Sequence, residues 1–427
     1  MLKFFDLLAE RLPLPYVAWI GALVAGVGMS VSKVMLSTGM ITMVATAFVY
    51  WVHRRTWPDF RPVRGWWLVT GVFIVSFIGI IYTHDLSRWF KDVENKLPFL
   101  LLPLSYFVLP RFKSGQYFWL WLAFILTQVV IGSMALAGYL SSRKISDEVI
   151  RSNASIDIPG SISHIYFGMV LACSVFACLL LLRSFKLPSW GRIALILIAL
   201  FQFGLMHIIT SRTGLVAMYA GLMGWLTYEV VTRRAWVLGS LVLALLVSVP
   251  LFAYRYVYAF RTRVDVTIWD LQQYEHSQNL SHLSASKRLV SWEIAWGIFV
   301  QHPVLGVGMG DVKQALFDAY ATQRVLISPD QWPANAHNGY LQALAGTGLL
   351  GGIINLLALG FPLVTGWRSG RPMLVAVSLA FAFGLLSEAL WQREIGIGLY
   401  LFVLIWASFT PKINEIQPQH VKWRLNP

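Results

Sequence analysis

The sequence predicts an all-α fold, a polytopic integral membrane protein with about twelve transmembrane helices. Apolar residues make up 57% of the 427 residues and charged residues only 13%, against roughly 45–50% and 25% in soluble domains. Apolar blocks long enough to cross a hydrocarbon layer of about 30 Å as helices recur from end to end of the chain. Lipid therefore has to solvate most of this chain, which excludes a soluble fold.

The predicted spans follow these apolar blocks along the chain. The fourth is short and carries Pro98, Pro103 and Pro110. Irregular backbone survives at membrane depth where it lines a cavity or packs on protein, so we expect either a wall of a lipid-substrate groove or a kinked packing helix there. The twelve spans are 16–31, 35–52, 66–82, 97–109, 117–140, 162–182, 193–209, 214–231, 236–254, 339–362, 373–390 and 395–409.

The net charge of +14 is distributed unevenly across the membrane. With the N-terminus inside, the cytoplasmic segments hold 18 of the 34 Lys and Arg residues but only 5 of the 20 Asp and Glu residues. Cytoplasmic loops carry an excess of Lys and Arg. The distribution therefore predicts that both termini are cytoplasmic, and it argues against a nucleic-acid partner.

Parity of the spans places the longest non-membrane segment outside. We predict helices one to nine in residues 1–254, an outer loop carrying part of a site in 255–336, helices ten to twelve in 337–410 and a cytoplasmic tail in 411–427. Within the loop, apolar residues at helical spacing predict a helix from Ser284 to Val300, with Lys287 and Arg288 near its start. Positive charge there opposes the helix dipole, so we expect an anion nearby.

His337 stands where the outer loop returns to the membrane. A histidine at the water boundary can accept a proton at neutral pH, as a general base must. The alternative is structural: His337 is an interfacial residue, Asn338 caps the tenth span, and Gly348 and Gly351 allow close helix packing. Both interpretations stay open on spacing alone.

Two arginines are candidates for binding a diphosphate. Arg212 lies between Ser211 and Thr213 at the outer end of the seventh span, and Arg288 lies in the outer loop. The guanidinium fork suits a diphosphate, although a rim arginine can also snorkel and a loop arginine can simply be solvated. Because the predicted topology puts both arginines on the side of His337, we expect a shared site.

Other chemistry finds little support in the sequence. Gly306, Gly308 and Gly310 resemble a phosphate loop, but no strand precedes them and no Lys-Ser/Thr pair follows, so we expect a flexible turn after Pro303. No metal-binding motif is present, and we predict no metal and no other cofactor. Glu388, near the outer end of the eleventh span, is the one membrane acid that we single out, as a partner for an arginine.

The pair His337-Asn338, nine residues and then Gly348-x-x-Gly351 resemble the signature of bacterial O-antigen ligases. The wider family also contains O-antigen polymerases and protein O-oligosaccharyltransferases. The likeness covers roughly residues 202–351, and the first half of the chain matches only in hydropathy. Three weaker elements agree with it: Ser211-Arg212-Thr213, Arg288 with Trp292, and His302-Pro303 with Gly306-Val307-Gly308.

The resemblance implies transfer of a glycan from undecaprenyl pyrophosphate to a sugar of lipid A-core, on the periplasmic face of the bacterial inner membrane. It implies a metal-independent reaction with inversion at the anomeric carbon. The partners would be the lipid-linked O-antigen donor, the lipid A-core acceptor and membrane lipid, with the oligomeric state left open. The implied roles are a general base, His337; pyrophosphate binding, Arg212 and Arg288; and support, Asn338, Ser211, Trp292, Gly348 and Gly351.

Three other functions fit parts of the pattern. An O-antigen polymerase uses the same donor with a lipid-linked acceptor, and its expected residues overlap with these. Protein O-oligosaccharyltransferases usually carry a larger soluble tail than residues 411–427. A lipid or solute transporter predicts charges deep in the spans, where this sequence has almost no ionisable groups. The ligase is therefore the function that we favour.

Overall fold

The computed structural model describes residues 12–55, 65–152, 156–160, 162–277, 279–322 and 326–412. Within these ranges, eight helices are long and apolar enough to cross a membrane, so the predicted all-α, multi-pass membrane fold is confirmed. The helices are α1 Leu14–Val31, α2 Lys33–Arg54, α3 Trp66–Ile78, α4 Leu86–Lys96, α5 Pro98–Val108, α6 Ser114–Ser141, α7 Arg143–Arg151, α8 His164–Ser184, α9 Ser189–Ile209, α10 Arg212–Arg233, α11 Trp236–Tyr256, α12 Tyr258–Gln273, α13 Ser284–Gln301, α14 Val312–Thr322, α15 Gly339–Ser369, α16 Pro372–Ser387 and α17 Glu394–Phe409.

The remaining predicted spans coincide with shorter helices. Three are apolar: α3 with its 3₁₀ extension to Ile81, α16 and α17. Helices α16 and α17 have 16 residues each and so rise about 24 Å, somewhat less than the hydrocarbon thickness of about 30 Å. The number of twelve spans stays a prediction, and most of the predicted tail, residues 413–427, lies outside the described residues.

The fourth predicted span folds as α5, which has 11 residues and contains Pro103. Such a helix rises about 16 Å, roughly half of the hydrocarbon layer. It packs against α2, α3 and α17, and Phe99, Leu102 and Tyr106 are buried in these contacts. Of the two expectations for this segment, the contacts of α5 are those of a packing helix.

Helices α8 and α17 lie at the centre of the bundle. In α17, each residue from Ile395 to Ala407 is buried. The ring of Trp406 meets the ring of Trp121 edge to face at 5.4 Å, and Trp121 Nε1 donates a hydrogen bond to Thr410 Oγ1 at 2.9 Å. By contrast, α11 has only Gly239 and Ala253 buried, so it leans away from the bundle and leaves a side of α10 uncovered.

Helices α13 and α14 build a second, smaller core outside the bundle. The predicted helix from Ser284 to Val300 is confirmed by α13, which ends one residue later. The apolar face of α13 packs on α14 and on the segment before α15, and the buried members of this core include Leu283, Val290, Ile294, Leu316 and Tyr320.

The turn after Pro303 docks into a break in helix α15. At this break Gly348 has φ 61° and ψ −160°, a conformation that is essentially restricted to glycine. The turn predicted after Pro303 is present, and backbone hydrogen bonds hold it in place, where the sequence predicts a flexible one. Three backbone hydrogen bonds join the two segments: Val307 N–H to Ala345 O at 2.9 Å, Gly308 N–H to Gly346 O at 3.0 Å, and Leu349 N–H to Pro303 O at 2.8 Å.

The glycines on both sides of this contact are required by close approach of the backbones. A Cβ at Gly348 would overlap the carbonyl group of Val304, and a Cβ at Gly306 would collide with the backbone of α15. A Cβ at Gly351 would overlap the side chain of Thr347. Gly348 of the sequence signature and Gly306 of the His-Pro turn therefore lie on the two sides of one contact, and Gly351 packs within α15.

Asp311 ties this turn to the loop between α3 and α4. Its carboxylate accepts hydrogen bonds from the backbone N–H groups of His84 and Asp85, both at 2.8 Å, and from the His84 ring at 3.2 Å. Partial burial raises the pKa of the Asp311 carboxyl, but these donors outweigh burial and leave the pKa below its ordinary value. The segment that contains α12 to α14 is thereby attached to both halves of the bundle.

The break in α15 predicts that Gly348→Ala is strongly destabilising. Alanine is strained in this conformation at a cost of about 1–3 kcal/mol, before any overlap with Val304. The matched control is Gly360→Ala in the same helix, where an added Cβ meets nothing within 4 Å and helix propensity favours alanine by about 0.5–1 kcal/mol. Thermal unfolding in detergent should rank the variants in this order, and equal melting temperatures would contradict the structure at Gly348.

Candidate active site

One end of the helix bundle collects polar side chains from five segments. His164 and Arg212 are the first residues of α8 and α10. Glu388 follows directly after α16, and His337 lies two residues before α15. Helix α13 crosses this end and brings Arg288. Residues that are far apart in sequence thus share one region.

The backbone around His337 is held in an unusual conformation. His337 has φ 47°, in the left-handed region, where a residue other than glycine costs of order 1–3 kcal/mol. The His337 N–H donates to Asn335 Oδ1 at 2.9 Å, and the Trp292 ring donates to the His337 carbonyl at 3.4 Å. The Asn338 side chain accepts from the N–H groups of Tyr340 and Leu341, so the predicted helix cap is confirmed.

Glu388 connects the histidine to an arginine. His337 Nδ1 lies 3.2 Å from both carboxylate oxygens, and Arg288 Nη2 lies 3.5 Å from Oε2. The Glu388 side chain is only 8% exposed, and burying a carboxylate is costly unless cations or hydrogen-bond donors pair with it. The expectation of an arginine partner for Glu388 is therefore confirmed.

The carboxylate also determines which nitrogen of His337 is basic. Glu388 can only accept, so Nδ1 must carry the proton that lies between them. In a neutral imidazole Nε2 is then the nitrogen with a lone pair. The His337 side chain is 31% exposed, so a substrate hydroxyl has access to it.

Arg212 links three helices. Ser211 is the N-cap of α10, and its hydroxyl accepts from the Gly214 N–H at 3.3 Å. Arg212 Nη2 donates to Ser284 Oγ at 3.0 Å and Nη1 to Thr267 Oγ1 at 3.4 Å. Because Ser284 lies four residues before Arg288 on α13, the two guanidinium groups approach the same end of that helix.

Arg288 retains most of its hydrogen-bonding capacity. A guanidinium has five N–H donors in a planar fork, and the described hydrogen bond to Glu388 uses one of its nitrogens. The side chain is 17% exposed. It can therefore bind an anionic ligand while it stays paired with Glu388.

Two further residues at this end, Arg263 and His164, were not predicted from the sequence. Arg263 of α12 is buried, with Nε donating to Thr210 Oγ1 at 3.3 Å, and burial lowers its pKa. Arg263 and Arg288 lie close enough to repel the positive charge of Arg212. All three arginines interact electrostatically with the His164 ring. Nothing in the sequence separates the buried Arg263 from its neighbour Arg261, because only the fold shows which one turns inward.

The anion expected at the start of α13 is supplied by the protein itself. The fully buried carboxylate of Asp270 accepts hydrogen bonds from the N–H groups of Ala285 and Ser286, at 2.7 and 3.0 Å, and from the Ser286 hydroxyl at 2.7 Å. Asp270 therefore caps α13 and anchors it on α12. The end of α13 is fixed, and with it the positions of Ser284 and Arg288.

The predicted site residues thus divide into two groups. Arg212, Arg288, Trp292 and His337 meet at one end of the bundle through the contacts given above. Gly348 and Gly351 lie further along α15 and shape the break and its packing. Among the described residues, no group of three or more His, Cys, Asp or Glu side chains is arranged to hold a metal ion.

A comparison with protein families matches a segment of the chain that contains part of this site. Residues 197–356 match the model of the family described as O-Antigen ligase (Wzy_C), so the predicted resemblance is confirmed over this segment. The match includes Arg212, Arg288 and His337 and ends before Glu388. It indicates a membrane enzyme that transfers a lipid-linked glycan. No curated protein matches the chain.

The cap of α13 makes Asp270→Asn a test of how the site is positioned. An amide loses the charge and one acceptor, and charge-assisted hydrogen bonds are worth about 1.5–3 kcal/mol. We expect faster amide hydrogen exchange in the first turn of α13. The control is Asp265→Asn on the same helix, whose carboxylate makes an exposed hydrogen bond to Tyr254. If both variants exchange like the wild type, Asp270 does not anchor α13.

Proposed function

We propose that this protein is an O-antigen ligase, which transfers a glycan from undecaprenyl pyrophosphate to a sugar of lipid A-core. The observation that carries the proposal is the shared carboxylate of Glu388. It places a histidine with a basic Nε2 and an arginine with unused donors next to each other. Acid–base chemistry and binding of a diphosphate are the two functions that this transfer requires.

In the proposed reaction the acceptor hydroxyl attacks the anomeric carbon of the donor from the face opposite the pyrophosphate. The new glycosidic bond forms as the bond between the anomeric carbon and the pyrophosphate oxygen breaks, and the configuration inverts. His337 Nε2 takes the hydroxyl proton, and the electron pair of the broken bond leaves with the pyrophosphate. Arg212 and Arg288 stabilise the charge that develops there, with Arg263 behind them.

Glu388 would serve both halves of this reaction. Before the reaction, the carboxylate holds the Nδ1–H group of His337 and leaves Nε2 as the nitrogen that can accept the proton. Once the proton has moved, the carboxylate stabilises the imidazolium that has formed. Ser211 and Asn338 would hold Arg212 and His337 in place through their helix caps, and Trp292 would fix the carbonyl of His337.

The distribution of cations supports a periplasmic position for this site. The opposite ends of α8, α10, α15 and α16 carry Arg183, Arg233, Arg368 and Arg371. Positive residues at helix ends favour the cytoplasmic side. We therefore propose an inner-membrane protein with both termini in the cytoplasm and with the loop of residues 255–336 and the active site in the periplasm.

A reconstituted reaction tests the proposed function. Purified protein in chelator receives undecaprenyl-pyrophosphate glycan with either lipid A-core or a second lipid-linked glycan as acceptor. We expect product on lipid A-core and a loss of about 10²–10⁴-fold in rate for His337→Ala, since general base catalysis contributes that much. The control His276→Ala removes an exposed histidine of the same outer loop and should retain the wild-type rate.

Each other outcome points to a different function. Elongation of the lipid-linked glycan alone would identify a polymerase, and glycan on a protein acceptor would identify an oligosaccharyltransferase. Loss of activity in chelator would contradict the metal-independent reaction. Full activity of His337→Ala would contradict the assignment of the general base.

A further inference from the structure

An apolar groove of about 910 Å³ runs along the membrane-facing side of α10. Its floor is a strip of α10 from Leu215 to Thr227, and its walls come from α11 and α12 on one side and from α15 and α16 on the other. The groove is open because α11, with Pro250 in its wall, packs loosely on the bundle.

One end of the groove lies near Arg212 and Arg263. Leu215 and Val216 of its floor lie three and four residues after Arg212, on the same face of α10. Phe260 of its wall lies three residues before Arg263 on α12. This end of the groove therefore lies within about one helical turn of the positions of Arg212 on α10 and Arg263 on α12.

The other end of the groove reaches the opposite side of the bundle. It is lined there by Thr227 of α10 and by Trp367 and Arg368 near the end of α15. The stretch from Leu215 to Thr227 rises about 18 Å along the helix axis, which is more than half of a hydrocarbon layer of about 30 Å. The groove is thus long and apolar, with Arg368 at this end and Arg212 about one helical turn beyond the other end.

We propose that this groove binds the isoprenoid chain of the lipid donor, with its diphosphate at Arg212 and Arg288. This inference rests on the proposed function and assigns the place of the donor's tail. An apolar chain that ends in a strong anion matches an apolar groove that ends in arginines. The tail site is accordingly beside α10 and not beside α5, where the sequence had allowed a lipid-substrate groove.

The competing occupant is the acyl chain of an ordinary membrane phospholipid. A phospholipid also combines apolar chains with a phosphate, but it carries a single phosphate where the site has three interacting arginines, Arg212, Arg263 and Arg288. Competition distinguishes the two occupants. A specifically bound polyprenyl diphosphate is displaced by added polyprenyl diphosphate, whereas the surrounding phospholipid does not displace it.

Photocrosslinking locates the tail directly. A polyprenyl diphosphate with a benzophenone in its chain is added to the protein in nanodiscs of phosphatidylglycerol. We expect labelled peptides from α10, α15 or α16, with labelling abolished by excess undecaprenyl diphosphate. Labelling that is spread over other lipid-facing helices, or concentrated at α5, or insensitive to this competitor, would overturn the assignment.

A filled groove gives a second test. Ala220 lines the groove, and Ala220→Trp should lower groove labelling and raise KM for a long-chain donor about tenfold, the effect of losing some 55 Å² of apolar contact. The kcat/KM for a donor with a ten-carbon chain should change little. The control Leu197→Trp adds the same side chain to an exposed position of α9. A KM increase of the same size for both chain lengths would contradict a tail site.

Failure of this inference is separable from failure of the proposed function. If the wild-type protein transfers no glycan but labels in the groove, the proposed function is wrong and a polyprenyl diphosphate site remains. If it transfers glycan and labels elsewhere, the ligase stands and the groove assignment is wrong.

Discussion

The arrangement of the site depends on one buried carboxylate. Glu388 is the meeting point of the turn after α16, the helix α13 and the segment before α15, because Arg288 and His337 both pair with it. Removing one partner of a buried charge pair typically costs about 3–5 kcal/mol, since the remaining charge is left uncompensated. The same contact that stabilises these three segments also orients the proposed base, His337, and positions the proposed pyrophosphate-binding residue, Arg288.

The segment that contains α12 to α14 is held to the bundle at several separate points. Asp270 fixes the start of α13, the turn after Pro303 docks into the break at Gly348, and Asp311 reaches the loop between α3 and α4. Each contact uses buried or backbone hydrogen bonds, which give fixed geometry. Such a frame keeps Arg288 and His337 in register with Arg212 although they come from different helices, as preorganised electrostatic stabilisation requires.

The sequence predicts much of this architecture because solvent imposes it. Apolar block length gave the membrane helices, and helical spacing gave α13. Caps such as Asn338 are also visible, since they depend on local chemistry. What the sequence did not show depends on distant contacts: the burial of Arg263, the role of Asp270 as the anion for α13, and the contact of the Gly348 break with the His-Pro turn. For the segment of α5 the sequence left a lipid-substrate groove and a packing helix open, because only contacts with distant helices distinguish them.

A double-mutant cycle tests most directly whether Glu388 unites the two halves of the site. The transfer rate, as kcat/KM, is measured for the wild type, Arg288→Ala, Glu388→Gln and the double variant. Residues in one charge network are coupled by about 0.5–3 kcal/mol, whereas independent sites add within about 0.5 kcal/mol. We predict a coupling above about 1 kcal/mol, so that the double variant loses less than the two single losses together. Simple additivity would show that Arg288 and Glu388 act independently and would contradict the shared carboxylate as the centre of the site.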